Sequence, residues 1–397
     1  MGPTRALFLI IAAMLMAAPQ VCVGAKNPLV KVGVVLPLSG PQSAFGEMMK
    51  NSMLIALKEV KKAGAINGKT IELVFEDDAS SIETARSAVE KLVRQDGVVM
   101  ITGGYLSHVT LAVAAKAQES RVPFLVQTAS LDEITERGWN YVFRLTPPVS
   151  EYPDTVLSFL KEVAKANTAA ILYVDNSFGR STAEAFAKGA KRARIKVVME
   201  QGYHLKTTDL RSLVAKVKGV NPDVVFMVSY VTDAAQIMRL AKEQHLVPKL
   251  FVGSGGGFTM PEFAAQAGDA AENVCSVAPW TSHIPFAGAK PFCQAYKKRY
   301  GTHADYHGAQ AYAATYVVAD ALERAKELSP EGFREALVKT DTMTAFGPVR
   351  FQNYGKKKQQ NKLPTYLIQW QNGAIETVWP RRVSSRSPVY PFPVWPN

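Results

Sequence analysis

The sequence predicts an α/β protein built on parallel sheets, and three observations lead to this prediction. Short β-branched runs alternate along the chain with amphipathic segments of helical period. KVGVVL at 31–36 is apolar almost without interruption, as expected for a strand in a sheet that is covered on both faces. The alternation pauses at the paired prolines Pro147 and Pro148 and then restarts, which indicates two α/β units.

The first unit begins with the strand at 31–36 and continues with three helices. Apolar residues recur at helical spacing over 46–63 and 82–96, and a further helix is predicted near 107–118. The remaining strands of this unit are predicted at 70–78, 98–102 and 122–126.

The second unit repeats the pattern after the prolines. Its strands are predicted at 169–175, 196–201, 223–229 and 249–254, and its helices from about 180 and over 232–245, with two more at 286–300 and 307–327. Asn372-Gly373 between two alternating runs predicts a β-hairpin. The segment 381–397 is rich in Pro, Ser and Arg and is predicted to be a disordered tail.

The N-terminus has the pattern of a cleaved export signal over 1–25. Arg5 is followed by an apolar run shorter than the ~20 residues that span a membrane. Small residues end at Ala25, so cleavage there is predicted to release a mature chain that starts at Lys26. Cys22 lacks the small preceding residue that lipoprotein signals require, so a free, soluble mature protein outside the cytoplasm is favoured.

Composition excludes several classes of protein. The 397 residues suggest two domains, and 47% hydrophobic with 20% charged residues is ordinary for a globular core. The formal net charge of +12 comes from scattered basic residues, so a solvated surface is favoured over nucleic-acid binding. Cys275 and Cys293 are a candidate disulfide in an oxidising compartment, although the sequence leaves their pairing open.

No motif for catalysis, a cofactor or a metal stands out. The glycines of 253–257 lack dinucleotide-binding spacing because residue 258 is Phe. His303 and His307 are too few to form a structural metal site. Neither GxSxG nor HExxH occurs. We therefore predict no cofactor, no metal and no enzymatic activity.

Small residues and aromatic residues instead cluster where the predicted strands end. Open parallel sheets bind ligands outside the carboxyl ends of their strands, and exposed backbone N–H groups there suit a carboxylate. The small residues are Ser39-Gly40, Gly103-Gly104, Thr128-Ala129-Ser130 and Ser254-Gly255. The aromatic residues beside them are Phe45, Tyr105, Phe178, Tyr230 and Trp280, which favour an apolar pocket.

Several longer stretches, taken in order, carry a family resemblance. They are VGVVLPLSGPQSAFGE, AINGKTIELVFEDDASSIETA, GGYLSHVT, VPFLVQTASLDEIT, VFRLTPP, DNSFGRS, YHGAQAYAATYVVADALERA and FGPVRFQ followed by YLIQWQNG. Over about 31–380 the chain resembles the periplasmic leucine/isoleucine/valine-binding protein family, the type I solute receptors of ABC importers.

The resemblance implies a type I periplasmic binding protein fold, with two parallel-sheet α/β lobes joined by a hinge. Lobe 1 would comprise 26–147 and 279–362, and lobe 2 would comprise 148–278 and 363–380. The ligand would lie in the interlobe cleft, and the lobes would close over it.

The resemblance also assigns expected roles at the site. Ser107, Ala129 and Ser130 match the positions that hold a ligand carboxylate. Phe45 and Phe178 match aromatic positions of the family's site, and Tyr230 would form a wall of the second lobe.

One position departs from the family pattern. Amino-acid binders of this family place an acidic residue, which pairs with the ligand ammonium, where this chain has Gly255. A buried ammonium without a counter-charge is costly. Either another acid such as Asp233 or Glu262 reaches the site, or the ligand has no ammonium group.

The expected function is a monomeric, non-enzymatic periplasmic receptor. It would deliver a small carboxylate, either an apolar amino acid or an aromatic or aliphatic acid, to an ABC permease. A sensory ligand-binding protein of the same fold is one alternative, and an exported hydrolase or oxidoreductase is another.

Overall fold

The computed structural model describes residues 28–205, 207 and 209–395. The predicted signal peptide, its cleavage before Lys26 and the question of Cys22 lie outside the described residues. Within the described part of the chain, no helix is both long enough and apolar enough to cross a bilayer.

The described chain alternates strands and helices. The strands are β1 (Leu29–Leu36), β2 (Thr70–Asp77), β3 (Met100–Gly103), β4 (Phe124–Val126), β5 (Val142–Arg144), β6 (Thr168–Val174), β7 (Lys196–Tyr203), β8 (Val224–Val228), β9 (Leu250–Ser254), β10 (Cys275–Ala278), β11 (Asp341–Thr344), β12 (Gly347–Tyr354), β13 (Lys357–Asn361), β14 (Tyr366–Gln371) and β15 (Ala374–Trp379). The helices are α1 (Ser43–Ala63), α2 (Ile82–Arg94), α3 (Ser107–Ser120), α4 (Glu133–Glu136), α5 (Pro153–Phe159), α6 (Ser177–Arg192), α7 (Arg211–Val220), α8 (Val231–Glu243), α9 (Pro261–Ala267), α10 (Ala289–Tyr300), α11 (Tyr306–Arg324) and α12 (Pro330–Val338). A π-helical turn, Leu160–Ala164, continues α5, and short 3-10 turns occur at Val149–Glu151, Gly268–Ala271 and Arg381–Val383.

The strands form two mixed sheets. The first has eight strands in the order β11-β12-β13-β5-β4-β3-β1-β2, and the second has seven in the order β15-β14-β10-β9-β8-β6-β7. Strands β1 to β5 pair in parallel, as do β6 to β10, while β14 and β15 form the antiparallel hairpin that Asn-Gly predicts. The chain passes between the sheets after β5, β10 and β13. The predicted two-lobed α/β fold is confirmed.

We call the lobe built on the eight-stranded sheet the first lobe and the other the second lobe. Helices α1 and α2 both pack against β1, which is apolar except for Lys31. Val34, Val35 and Leu36 are fully buried. At Gly33 a Cβ atom would lie 2.8 Å from a methyl group of Leu92, so α2 packs directly on this strand.

The prediction of a disordered tail over 381–397 is wrong as far as Trp395. This segment packs on the second lobe, where the Trp395 indole donates a hydrogen bond to the Leu246 carbonyl at 2.8 Å. Phe392 packs edge to face on Phe251 with 4.9 Å between ring centroids. Apart from the 3-10 turn Arg381–Val383, the described part of this segment forms no helix or strand. Its aromatic side chains nevertheless bury apolar surface against the second lobe, which holds the segment in place.

The candidate disulfide is also contradicted, because Cys275 and Cys293 are both free. Cys275 lies within β10 in the core of the second lobe, whereas Cys293 lies on α10, which packs against α1 and α11 of the first lobe. Burial raises the pKa of both thiols, that of Cys293 to about 11, so both are protonated and unreactive near neutral pH.

Candidate ligand-binding site

A cavity of about 30 Å³ lies where the two lobes meet. The first lobe contributes Tyr105, Ser107, Thr128, Ser130, Tyr306 and His307, and the second contributes Tyr152, Phe178, Tyr230, Gly255 and Gly256. Most of these residues follow the carboxyl ends of parallel strands, which is where the sequence predicts a pocket. Of the predicted site residues, the cavity wall contains Tyr105, Ser107, Ser130, Phe178, Tyr230 and Gly255.

The hydroxyl-bearing side of the cavity is formed by Ser107 and Ser130. Ser107 is the first residue of α3, so its backbone N–H is among those that a helix leaves without an intrahelical partner. Ala129, between the wall residues Thr128 and Ser130, does not itself line the cavity, and its backbone N–H donates to the Gly104 carbonyl at 3.3 Å. This wall can therefore offer a carboxylate two serine hydroxyls and the start of a helix.

Arg144, which sequence reasoning missed, holds this loop from behind. Its fully buried guanidinium donates to the carbonyl groups of Ala129 and Leu131, on either side of Ser130. It also donates to Gln360 at 2.6 Å. Burial lowers the pKa of this arginine to about 10, so it remains charged at neutral pH. Its position at the end of β5, beside the paired prolines, was the signal available in the sequence.

Aromatic side chains form most of the remaining wall. Phe45 lies one layer behind it and stacks on Tyr105 with 4.6 Å between ring centroids. Phe178 and Tyr230 lie on the second-lobe side of the cavity, with 6.2 Å between their ring centroids. The Tyr105 hydroxyl is buried and has no hydrogen-bond partner within the described chain. Burial raises the pKa of Tyr105 and Tyr230, so both stay neutral hydrogen-bond donors.

A buried Asp305–His307 pair at the start of α11 completes the site, and sequence reasoning did not recognise it. His307 Nδ1 lies 2.7 Å from Asp305 Oδ2, and the backbone N–H of His307 donates to Oδ1 at 2.8 Å. Burial alone would raise the pKa of Asp305. The neighbouring His307 and the hydrogen bonds from His307 and Thr259 together have the larger, opposite effect, so the pKa lies below its ordinary value and the carboxyl is ionised. The sequence shows the two histidines of 303–307 (HADYH). It does not show that Asp305 caps α11 and thereby holds His307 beside its carboxyl group.

Carboxylate and imidazole arranged in this way also occur in serine hydrolases. Here, however, no serine hydroxyl hydrogen-bonds to His307 in the chain as described. The same residues contain no group of three or more His, Cys, Asp or Glu side chains that could hold a metal ion. The arrangement suits binding of an anion.

No carboxylate side chain lines the cavity among the described residues. A Cβ atom at Gly255 would collide with the Phe178 ring, and one at Gly256 would lie 2.9 Å from the Tyr105 hydroxyl. Of the two alternative acids, Asp233 hydrogen-bonds to Tyr203 outside the cavity wall. Glu262 is exposed on the first turn of α9. Neither therefore supplies the missing counter-charge.

Trp280 was expected at the site but lies in the wall of a neighbouring cavity of about 380 Å³. Its indole donates to the Ala345 carbonyl at 2.7 Å and packs against Phe292. The segment Asp305–Tyr306 lines this second cavity, and Tyr306 lines the first cavity as well. Trp280 is therefore separated from the predicted ligand by this segment.

Comparison with known proteins identifies the family. The family model described as "Periplasmic binding protein" matches residues 29–374. The chain belongs to this family. It is 31% identical over 373 residues to the Leu/Ile/Val-binding protein homolog 7 of Brucella suis, covering 88% of this chain and 91% of that relative. The corresponding Brucella abortus protein is 30% identical over 390 residues, with 93% and 96% covered. These relatives confirm the predicted branched-chain amino acid group of type I periplasmic binding proteins, whose members are substrate-binding proteins of ABC transporters.

Solved structures of the family share the fold. LivJ of Streptococcus pneumoniae, in complex with isoleucine, superposes with a TM-score of 0.79 at 25% identity and covers 89% of this chain and 100% of its own. A solute-binding protein of R. palustris, in complex with benzoate, also reaches 0.79, at 19% identity and with 88% and 95% covered. One fold thus carries both an amino acid and an aromatic acid in these proteins.

Proposed function

We propose that this periplasmic binding protein is the receptor of an ABC importer for a small organic acid that lacks an α-ammonium group. The ligand is an aromatic or aliphatic carboxylate, held between the lobes and passed to an inner-membrane permease. The observation that carries this proposal is the absence of any acidic side chain from the wall of the first cavity, the one of about 30 Å³ at the strand ends, as far as the chain is described.

Three features of the cavity support the choice of ligand. Gly255 and Gly256 are packed so closely against aromatic rings that an acidic side chain does not fit there without rearrangement. An ammonium group would therefore be buried without an ionic partner, which is costly. Ser107 and Ser130 provide donors for a carboxylate, and the aromatic wall suits an apolar body. The benzoate complex of the R. palustris protein is consistent with such a ligand in this fold.

The cavity of about 30 Å³ is much smaller than the ~150 Å³ cavity that holds a benzene ring in an engineered protein. Ligand entry therefore requires the lobes to part or the aromatic side chains to turn. Because ligand in the closed state contacts both lobes, its differential affinity favours closure.

A binding screen tests this function. Leucine, isoleucine, benzoate, 4-hydroxybenzoate, phenylacetate and 4-methyl-2-oxopentanoate are added to the mature protein, with thermal shift followed by calorimetry. We expect at least one acid to bind about tenfold or more tightly than leucine. The ammonium group of leucine would lack an acidic partner in the cavity, and a hydrogen bond to a charged group contributes ~1.5–3 kcal/mol. Tight leucine binding, with failure of its deaminated analogue 4-methyl-2-oxopentanoate, would contradict the proposal.

Small-angle scattering of the protein with and without the best acid tests the mechanism. We expect a smaller radius of gyration at saturation. An unchanged radius would argue against closure of the lobes on the ligand.

A further inference from the structure

We propose that the ligand carboxylate pairs with Nε2 of His307, and that Asp305 both orients this imidazole and links it to the second lobe through Thr259. The inference rests on the proposed function and deepens it. It assigns the ionic partner of the ligand to a residue of α11, away from the serine loops where the sequence placed carboxylate recognition.

The hydrogen bonds of Asp305 fix the imidazole. Because Oδ2 lies 2.7 Å from Nδ1, this nitrogen carries the proton and donates to Asp305. The ring stacks on Tyr306 at 3.9 Å and meets the edge of Phe45 at 4.9 Å between centroids. The side chain of His307 is only 1% exposed, and His307 forms part of the cavity wall. Nε2 has no hydrogen-bond partner in the described chain, so it is the nitrogen available to a ligand.

His307 is the only side chain lining the cavity, among the described residues, that can carry a positive charge. The cation of Arg144 is directed at backbone carbonyls and at Gln360 instead. The titratable groups packed around the imidazole are Asp305 and the tyrosines.

The tyrosines cannot replace this charge. Burial raises the pKa of Tyr105, Tyr152, Tyr230 and Tyr306, so each remains a neutral donor. A carboxylate that entered this cavity without an ionic partner would be an uncompensated buried charge. His307, which Asp305 orients through Nδ1, is the side chain of the wall that can supply this partner at Nε2.

Thr259 ties the same carboxyl group to the other lobe. Its hydroxyl donates to Asp305 Oδ2 at 2.6 Å, and Thr259 lies between β9 and α9 of the second lobe. Both Thr259 and Asp305 are buried. Because this hydrogen bond joins residues of the two lobes, parting of the lobes at this point would break it, and the group that orients the ligand's partner would then respond to closure.

The test uses the tightest-binding acid of the screen and its neutral amide, for example benzoate and benzamide. His307→Gln should weaken binding of the acid about tenfold to a hundredfold, because a charge-assisted hydrogen bond is lost. Binding of the amide should change less than about threefold. His303→Gln is the matched control, since His303 is exposed in the loop before α11 and should leave both affinities unchanged.

Two further variants separate charge from closure. Asp305→Asn keeps an acceptor for Nδ1 but removes the charge that supports the imidazolium, so it should weaken the acid more than the amide. Thr259→Val removes the interlobe hydrogen bond and should weaken both ligands alike. Thermal melts establish whether each variant folds. If His307→Gln does not fold, the comparison of acid and amide binding by Asp305→Asn decides the question.

The outcomes distinguish the two proposals. If no acid binds the wild-type protein, the proposed function is wrong. If an acid binds the wild type and His307→Gln binds it within about threefold of that affinity, the function stands and the assignment of His307 is overturned. Equal losses for acid and amide in His307→Gln would likewise overturn it, because they would indicate a role in shape alone.

Discussion

Replacing Asp233 with Asn should stabilise the protein at neutral pH. Asp233 lies on the first turn of α8 and is only 6% exposed. Its Oδ2 accepts a hydrogen bond from Tyr203, while its Oδ1 is buried and has no partner within the described residues. Burial raises the pKa of this carboxyl from 3.8 to about 6. The folded protein must therefore bury an unfavourable charge whenever Asp233 is ionised.

The sign and the size follow from the pKa difference. Because the folded-state pKa is raised, the folded protein binds more protons than the unfolded chain between about pH 3.8 and 6. The contribution of Asp233 to stability therefore falls as pH rises through this window and is constant above it. The shift corresponds to about 3 kcal/mol, at ~1.36 kcal/mol per pH unit. Asn keeps the acceptor for Tyr203 but removes the charge.

Urea unfolding of the wild type and Asp233→Asn from pH 3.5 to 8 provides the measurement. The variant should gain up to about 3 kcal/mol at pH 7.5, and the gain should shrink toward zero near pH 3.5. Asp78, whose pKa burial also raises to about 6, is present in both proteins and cancels in the difference. Exposed Asp154→Asn controls for the loss of one surface carboxylate. A gain that does not depend on pH would refute the reasoning.

Three further predictions concern the tail, the glycine loop and the cysteines. Trp395→Ala should lower the free energy of unfolding by about 3–5 kcal/mol in urea titrations, and a loss below 1 kcal/mol would mean that the tail packs only loosely. Gly255→Ala should lower both the melting temperature and acid affinity, since φ is +85° and the new methyl group meets Phe178; wild-type values for both would count against this packing. Cys275 and Cys293 should react with a thiol reagent only after denaturation, and reductant should leave the melting temperature unchanged; a reductant-sensitive melt would reveal the disulfide that the structure lacks.

The sequence predicted those elements whose cause is local. The helical spacing over 46–63 and 82–96 reappears as α1 and α2, because the same apolar residues that make the pattern face the core. The hairpin at Asn372-Gly373 forms because both residues adopt the positive φ angles that such a turn requires. The ends of β3, β4, β6, β8 and β9 then marked the cavity, since those ends meet where the lobes face one another.

The sequence could not predict contacts between residues far apart in the chain. Asp305 and Thr259 lie in different lobes and meet across the boundary between them, and nothing in the sequence 303–307 alone distinguishes a buried Asp–His pair from an exposed loop. Trp280 follows the end of a strand, as the residues that line the first cavity do, yet its side chain lines the second cavity. The prediction of a disordered tail failed for a related reason. The composition of the segment says nothing about the distant surface of the second lobe on which Trp395 packs.

The glycine loop shows why specificity in this cavity involves more than one position. The sequence shows only that residue 255 is Gly where the family resemblance leads one to expect an acidic residue. In the fold, the space that such a side chain would need is occupied by Phe178, while Phe45 and Tyr105 crowd Gly256. An acid introduced at either glycine would displace a ring before it could reach a ligand. The packing that leaves no room for an acidic side chain at these glycines also forms part of the aromatic wall. On the proposed function, both features would favour an apolar body that carries a carboxylate.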